Sequence, residues 1–293
     1  MDIEALQRWV GRHQTADDLA AAGPLAGLAG LLDHAAPPWK PGELPPLAHW
    51  LYFLPHPRQS LLDDDGHLRR GDFLPPVPLP RRMWVGSRIR FLEPIPVQAA
   101  IHRRSTIASV KAHNGRSGPL VFVTVNHEIA VGATTAIVED QDIVYRAPAT
   151  GESSAPPGEG TTATGGSAAA ATTELPSRVS EATRRIVPDP VQLFRFSALT
   201  CNAHRIHYDR DYALGVEGYP GLVVQGPLVA TLLMDHFLRV SSSPSVRAFK
   251  FRAQRPLFDT APFDLCLAAN GAGADLWVTD RNSAVAFTAE VER

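Results

Sequence analysis

The chain concentrates its chemistry-bearing side chains between residues 194 and 228, in FRFSALTCNAHRIHYDRDYALGVEGYPGLVVQGPL. Asn202, His204, His207 and Asp209 fall within eight residues there. An imidazole titrates near neutrality, so His207 is a candidate proton acceptor. A carboxamide exchanges no proton at that pH, but Asn202 can hold a water or a carbonyl through its donor and acceptor. Gly226 precedes Pro227 and an apolar run, so its N–H is expected at a helix N-terminus, where developing negative charge is favoured. A base, an orienting amide and a backbone donor suit proton transfer coupled to charge on an oxygen.

The same residues carry plainer alternatives. His207 as a satisfied core histidine, Asn202 as a turn or cap residue, and His204 as a supporting or surface side chain all fit single positions. His204 and His207 with Cys201 or Asp209 have tolerable metal-ligand spacing, but irregular chain need not bring them together, so no metal is expected. Cys201 is a weaker candidate still as a nucleophile.

The elements that must position this cluster are readable on either side. PGLVVQGPLVATLLMDHFLRV places Leu228, Val229, Leu232, Leu233, Phe237 and Val240 around most of a helical wheel, so that helix is expected at the centre of its domain. Upstream, Pro188-Asp189-Pro190 marks a turn, and Val191 to Ser197 reads as a strand. Downstream, SVRAFKFRAQRPLF, APFDLCLAA, ADLWVTDR and SAVAFTAEVE alternate as strands, with Asn270-Gly271 as a turn.

The N-terminal half has its own plan. Residues 4–34 read as helical, broken at Gly23-Pro24, with Thr15, Asp17 and Asp18 opening a second helix. Residues 36–82 are dense in proline and should be extended, with His49 to Pro55 passing for a strand. From Met83 four alternating stretches follow, two of them joined by a turn at Gly115 to Gly118, and indicate an antiparallel meander. RAFKFRAQRPLF in the second half echoes SRIRFLEPIPV in the first, so the chain reads as two diverged copies of one helix-plus-meander unit. The boundaries are residues 1–146 for the first domain, 147–176 for a flexible Ala/Gly/Ser/Thr/Pro linker, and 177–293 for the second.

Composition narrows the partners. With 20% charged residues and a formal net charge of −2, nothing marks a nucleic-acid-binding surface. No apolar run approaches the roughly 20 residues of a membrane helix, no secretory signal is recognisable, and the two cysteines have no paired spacing, so a reducing cytoplasm is expected.

The order of strand, polar cluster, short helix, Gly-Pro and buried helix resembles the hot-dog fold of the MaoC-like, R-specific enoyl-CoA hydratases. Thr200-Cys201-Asn202 falls on that family's Ser-Gly-Asp, His204-Arg205 on its Asn-Pro, Ile206 on its aliphatic position, His207 on its His and Ala213 on its Ala; Gln225-Gly226 lies where the family has His-Gly. FSALTCNAHRIHYDRDYA, RGDFLPPVPLPRRMW, GRSGPLVFVTVNHEI, EDQDIVYR and FRAQRPLF are similar to the branch of 3-methylfumaryl-CoA (mesaconyl-CoA) hydratase and mitochondrial-type 3-hydroxyacyl thioester dehydratase.

The resemblance implies an α+β double hot-dog, antiparallel sheets wrapped around a central helix, with a reduced helix in the N-terminal half. It implies a hydro-lyase that adds water to an enoyl-CoA thioester without cofactor or metal, 3-methylfumaryl-CoA first among substrates. The partner is an acyl-CoA or acyl-ACP thioester, and a homodimer is compatible. His207, Asn202 and Gly226 take the catalytic positions, and Asn202 stands where the family has Asp, which questions a two-base mechanism. Arg205 replaces a proline and suits a substrate carboxylate; His204 and Gln225 are further substrate-binding candidates, and Arg103, Arg104, Arg252 and Arg255 are candidates for the CoA phosphates. The alternatives are a 3-hydroxyacyl-ACP or -CoA dehydratase of fatty-acid or polyketide synthesis, a hot-dog thioesterase, or an inactive acyl-binding subunit.

Overall fold

The structure is a computed structural model that describes residues 1–115, 118–147, 179–241, 245–271 and 273–293. The expected linker lies outside the described residues except for Ala147. So do two residues of the turn between Gly115 and Gly118.

The first half contributes α1 (Ile3–Gln7), β1 (His13–Leu19), α2 (Ala22–Leu31), β2 (Arg81–Phe91), β3 (Ala100–Gly115), β4 (Gly118–Val131) and β5 (Thr134–Arg146). The second contributes β6 (Ala182–Ile186), α3 (Pro190–Leu199), α4 (Arg210–Gly215), α5 (Gly226–Val240), β7 (Ala248–Ala253), β8 (Phe263–Ala269), β9 (Gly273–Thr279) and β10 (Val285–Glu292). Among the described residues these strands form one antiparallel sheet in the order β1-β3-β4-β5-β2-β7-β10-β9-β8-β6.

The two stretches that echo each other in sequence are the seam of that sheet. β2 pairs antiparallel with β7, Ile89 opposite Phe249 and Ser87 opposite Phe251, so the inward-facing residues of both halves enter one core. Helix α5 runs through that core with Leu228, Leu232, Leu233 and Phe237 almost wholly buried, as its apolar wheel requires. Val240, in its last turn, is exposed instead. The counterpart α2 spans ten residues and buries only Leu28 and Leu31. The first half thus keeps the reduced helix, and the architecture is the double hot-dog. Among the described residues, no helix is long and apolar enough to cross a membrane.

Several local expectations are corrected. Thr15, Asp17 and Asp18 do not open a helix; they lie in the edge strand β1, whose ladder with β3 supplies its backbone hydrogen bonds. Asp18 accepts from the Phe53 N–H instead of capping a helix. Helix α2 then begins at Ala22 and carries Gly23 and Pro24 in its first turn, where a missing proline N–H leaves nothing unsatisfied. His49 to Pro55 is not a strand: Ala48–Leu51 make a 3-10 turn, and positive φ at Leu47 and Phe53 breaks any extension. Val191 to Ser197 is helical, because Asp189 caps α3 through the N–H groups of Val191 and Gln192 and Pro190 takes the first helical position. The short edge strand β6 was not anticipated.

A buried polar network backs the seam. Glu139 accepts from His49 Nε2 (2.9 Å), Trp50 Nε1 (3.0 Å) and Ser87 Oγ (2.6 Å). Trp84 Nε1 donates to the same Ser87 hydroxyl, which fixes the strand whose Trp84 carbonyl faces Gly226. Burial works to raise the Glu139 pKa, but the His49 hydrogen bond and nearby charge prevail and bring it down to about 2.

Candidate active site

The polar cluster is held by a sequence of local hydrogen bonds. Helix α3 ends at Leu199, Cys201 turns the chain at φ 50°, and the Asn202 N–H returns to the Ser197 carbonyl. Asn202 Oδ1 then accepts from the His204 N–H at 3.1 Å, an Asx turn that leads into the 3-10 turn Arg205–His207. Asp209 closes the loop by accepting from the Tyr212 N–H and capping α4. The Asn202 amino group enters no hydrogen bond with another described residue and remains a donor for a ligand.

His207 is tied to the segment that leads into α5. The Val223 N–H donates to Ile206 O, and His207 Nδ1–H donates to Val223 O at 2.7 Å, three residues before Gly226. A backbone carbonyl can only accept, so this bond sets the tautomer and leaves Nε2 with its lone pair. Burial, partly opposed by that bond, brings the His207 pKa down to about 4, so the imidazole is neutral near pH 7.

Gly226 is the first residue of α5, directly after the Gln225 cap, and Pro227 donates nothing beyond it. A Cβ there would meet only the Trp84 carbonyl at 3.5 Å, ordinary contact, so protein packing does not demand the glycine. Gln225 is fully buried, and its Nε2 donates to Leu193 O (2.9 Å) and Ser197 Oγ (3.0 Å). Its donors therefore bind α5 to α3, and its Oε1 has no partner among the described residues.

Part of the site comes from the N-terminal half, which sequence reasoning overlooked. The loop from Leu62 to Leu68 closes by a bridge between those two residues and by Asp63 N–H to His67 O. Asp65 accepts from the His67 N–H (2.8 Å) and from its Nδ1 (2.9 Å), and the Asp65 carbonyl accepts from the Arg205 N–H (2.9 Å). Gly66 has φ 89°, and a Cβ on it would stand 1.8 Å from the Ala203 carbonyl oxygen, so only glycine permits this approach. The result is a file of imidazoles: His67 to His204 at 4.1 Å between ring centroids, and His204 edge-on to His207 at 5.4 Å. Burial and the neighbouring histidines bring the His204 pKa down to about 2, so it too is neutral. The Asp-Gly pair at 65–66 was the available turn signal.

The metal alternative weighed from the sequence does not assemble. Cys201 Sγ donates to Pro55 O and Asp209 is taken by Arg205 and Tyr212, while His204 meets Asp65 and His67 instead. The donor atoms of Asp65, His67 and His204 lie within 4.8 Å of one another, but the first two are bonded to each other.

Arg205 is already committed. Its Nε and Nη2 donate to Asp209 Oδ2 (3.0 and 2.8 Å), its Nη1 donates to Asp64 O, and its guanidinium lies over the Tyr212 ring at 4.1 Å. It clamps the 62–68 loop to α4. Arg103 points inward, over Phe53 and toward Glu139, whereas Arg104, Arg252 and Arg255 are exposed.

Fold and comparisons together define a hot-dog hydro-lyase, a hydratase or dehydratase. The family model for "Hydroxyacyl-thioester dehydratase type 2" matches residues 47–259. The chain is 47% identical to Mesaconyl-C(4)-CoA hydratase of Chloroflexus aurantiacus over 97% of its own length and 96% of that protein. It is 39% identical to the mitochondrial Hydroxyacyl-thioester dehydratase type 2 of Schizosaccharomyces pombe over 31% of this chain and 30% of the other. Among solved structures, a MaoC-like dehydratase from Phytophthora capsici superposes with a TM-score of 0.69 at 11% identity, covering 100% of this chain and 99% of that one, which bears on the fold alone. The protein belongs to the hydroxyacyl-thioester dehydratase type 2 family, within the MaoC-like hot-dog enzymes.

Proposed function

We propose that this enzyme adds water reversibly to 3-methylfumaryl-CoA (mesaconyl-CoA), giving citramalyl-CoA. The observation that carries the chemistry is the His207 ring, locked through Nδ1 on the Val223 carbonyl so that Nε2 alone is left to take a proton. The near full-length likeness to a mesaconyl-CoA hydratase supports the substrate.

On this mechanism the Asn202 amino group and His207 Nε2 hold one water. As its oxygen attacks the β-carbon, the O–H proton passes to Nε2 and the alkene π pair moves into the thioester as an enolate. The Gly226 N–H, at the positive end of α5, donates to the enolate oxygen and so stabilises its charge. The imidazolium then gives its proton to the α-carbon, and neutral His207 is restored. One base thus serves both steps, and a second carboxylate at position 202 is not required.

The experiment is a panel of enoyl-CoA esters followed by the loss of enoyl-thioester absorbance. 3-Methylfumaryl-CoA should be the best substrate, and His207→Ala should lower kcat by about 10²- to 10⁴-fold. Retained turnover in that variant would discard the mechanism. The fission-yeast relative favours a second reading, dehydration of a 3-hydroxyacyl thioester by the same residues in reverse. Faster turnover of linear crotonyl or longer esters than of dicarboxylic ones would select it. Release of free thiol would mark a thioesterase, and binding without any absorbance change an inactive subunit.

A further inference from the structure

β2 opens with two arginines that have different fates. Arg81 pairs with Glu217 (3.1 Å). Arg82 has no carboxylate partner among the described residues, although Arg205, Arg210 and Arg88 nearby in the fold all do. Arg82 stands opposite Tyr145 in the β2–β5 register, so the two side chains share the inward face of the sheet. That face also carries Trp84, whose carbonyl meets Gly226.

Tyr145 gives the second, independent observation. Its side chain is wholly buried, and apart from the Arg82 guanidinium, which can only donate to it, its hydroxyl has no hydrogen-bond partner among the described residues. A buried hydroxyl whose proton lacks an acceptor is destabilising. The Arg82 charge lies beside it and acts also on His67 and His204. Arg70, the other cation over the Tyr145 ring, spends its donors on the backbone carbonyls of Val77, Leu79 and Pro80.

Arg82 and His204 line one narrow cleft, together with Asp65, Arg81, Glu217 and Tyr219. His204 is also the ring that stands edge-on to His207, so the cleft is one ring removed from it. Asp65, bonded to His67, remains a carboxylate in the same cleft, and the Glu217 carboxylate there is paired with Arg81, so Arg82 is the cation left for an incoming anion.

We propose that Arg82 and the Tyr145 hydroxyl form an anion subsite that binds the free carboxylate on the β-carbon of the substrate. The proposal rests on the reading of a dicarboxylic enoyl-CoA as substrate. If a water on His207 Nε2 attacks the β-carbon, a carboxylate attached to that carbon lies within roughly 6 Å of Nε2. The His204 ring, its centroid 5.4 Å from that of His207, lies between the base and this cleft in the file of rings. A guanidinium and a phenol hydroxyl together offer the donors that two carboxylate oxygens require. A CoA phosphate has the same chemistry, but a phosphate sits at the far end of the pantetheine arm, whereas Arg82 lines the cleft with His204, one ring from His207.

The test compares wild type, Arg82→Gln, Arg82→Lys and Tyr145→Phe on 3-methylfumaryl and crotonyl thioesters, each made with CoA and with the phosphate-free carrier N-acetylcysteamine. Dissociation constants for both CoA esters are measured by titration calorimetry alongside kcat and KM. Arg82→Gln should lower the preference for the carboxylated ester by about 10- to 100-fold, chiefly through KM, with both carriers. Arg82→Lys should recover part of it, and Tyr145→Phe should lose several-fold in the same direction. An equal loss on both acyl groups overturns the subsite, and an equal loss confined to the CoA esters assigns Arg82 to a phosphate instead. If wild type turns over crotonyl-CoA but not the dicarboxylic ester, the substrate reading fails; selective weakening of dicarboxylate binding by Arg82→Gln would then still uphold the subsite, and unchanged binding would overturn it.

Discussion

A histidine pushed down to a pKa of about 4 is a weak base at rest, and the advantage lies in its being always unprotonated. Ordinary histidine is half protonated at about pH 6.5 and loses its base function there. His207, shielded by burial, keeps Nε2 free well into the acid range, and on the proposed mechanism the enolate formed beside it would stabilise the imidazolium at the moment of transfer. The pH profile of kcat/KM should therefore show an acid limb with its midpoint near 4, not near 6.5, when hydration rates are measured across pH 3.5 to 8. A midpoint at 6.5 would mean that the ring is solvated or that another group is the base.

At the scale of elements, the decisive feature is the 62–68 loop seated against the 202–205 turn. The Asp65 carbonyl and Asp64 carbonyl both accept from Arg205, and Gly66 has no room for a side chain beneath Ala203. Gly66→Ala combines a left-handed φ, costing about 1–3 kcal/mol, with a direct clash against backbone. It should lower the thermal midpoint and also reduce kcat by more than the stability loss explains, because His204 and His207 move with the turn. Activity measured well below the melting temperature of the variant separates the two effects; full kcat there would show that the loop only supports the fold. The sequence displayed the turn at 202–209 and the Gly-Pro start of α5, since both rest on local capping chemistry. Its reading of α3 as a strand failed because FRF and Val191 carry strand propensity, which the Asp189 cap and the burial of Leu193 and Phe196 override.

For the molecule as a whole, buried titratable groups set how stability depends on pH. Below about pH 6.5 the unfolded chain takes up a proton that folded His207 refuses until about pH 4, so stability falls by up to about 1.4 kcal/mol per pH unit in that window. Glu139 adds a loss of the same sign further down: its folded carboxylate resists protonation until about pH 2, while an unfolded glutamate protonates near 4.5. Thermal midpoints should decline steadily from pH 6.5 downward, and Glu139→Gln should flatten the part of the curve below pH 4.5. A midpoint that holds constant to pH 4 would contradict the burial of His207. The single sheet through β2 and β7 makes both groups part of one cooperative unit.

What the sequence determined by itself was local or periodic: eight of the long strands from their alternation, α5 from an apolar wheel, and the 202–226 cluster from residue types at fixed spacing. These follow from interactions within a few residues and from the side-chain period of each element. What only the tertiary structure decided was which distant residues come to lie around His204 and the 202–209 turn. Asp65, His67 and Arg82 are separated from His207 by more than a hundred residues, and Arg205, the nearer arginine, is occupied by Asp209. Their meeting depends on the antiparallel seam of β2 with β7 and on a glycine that lets two backbones touch, and no short-range pattern encodes either.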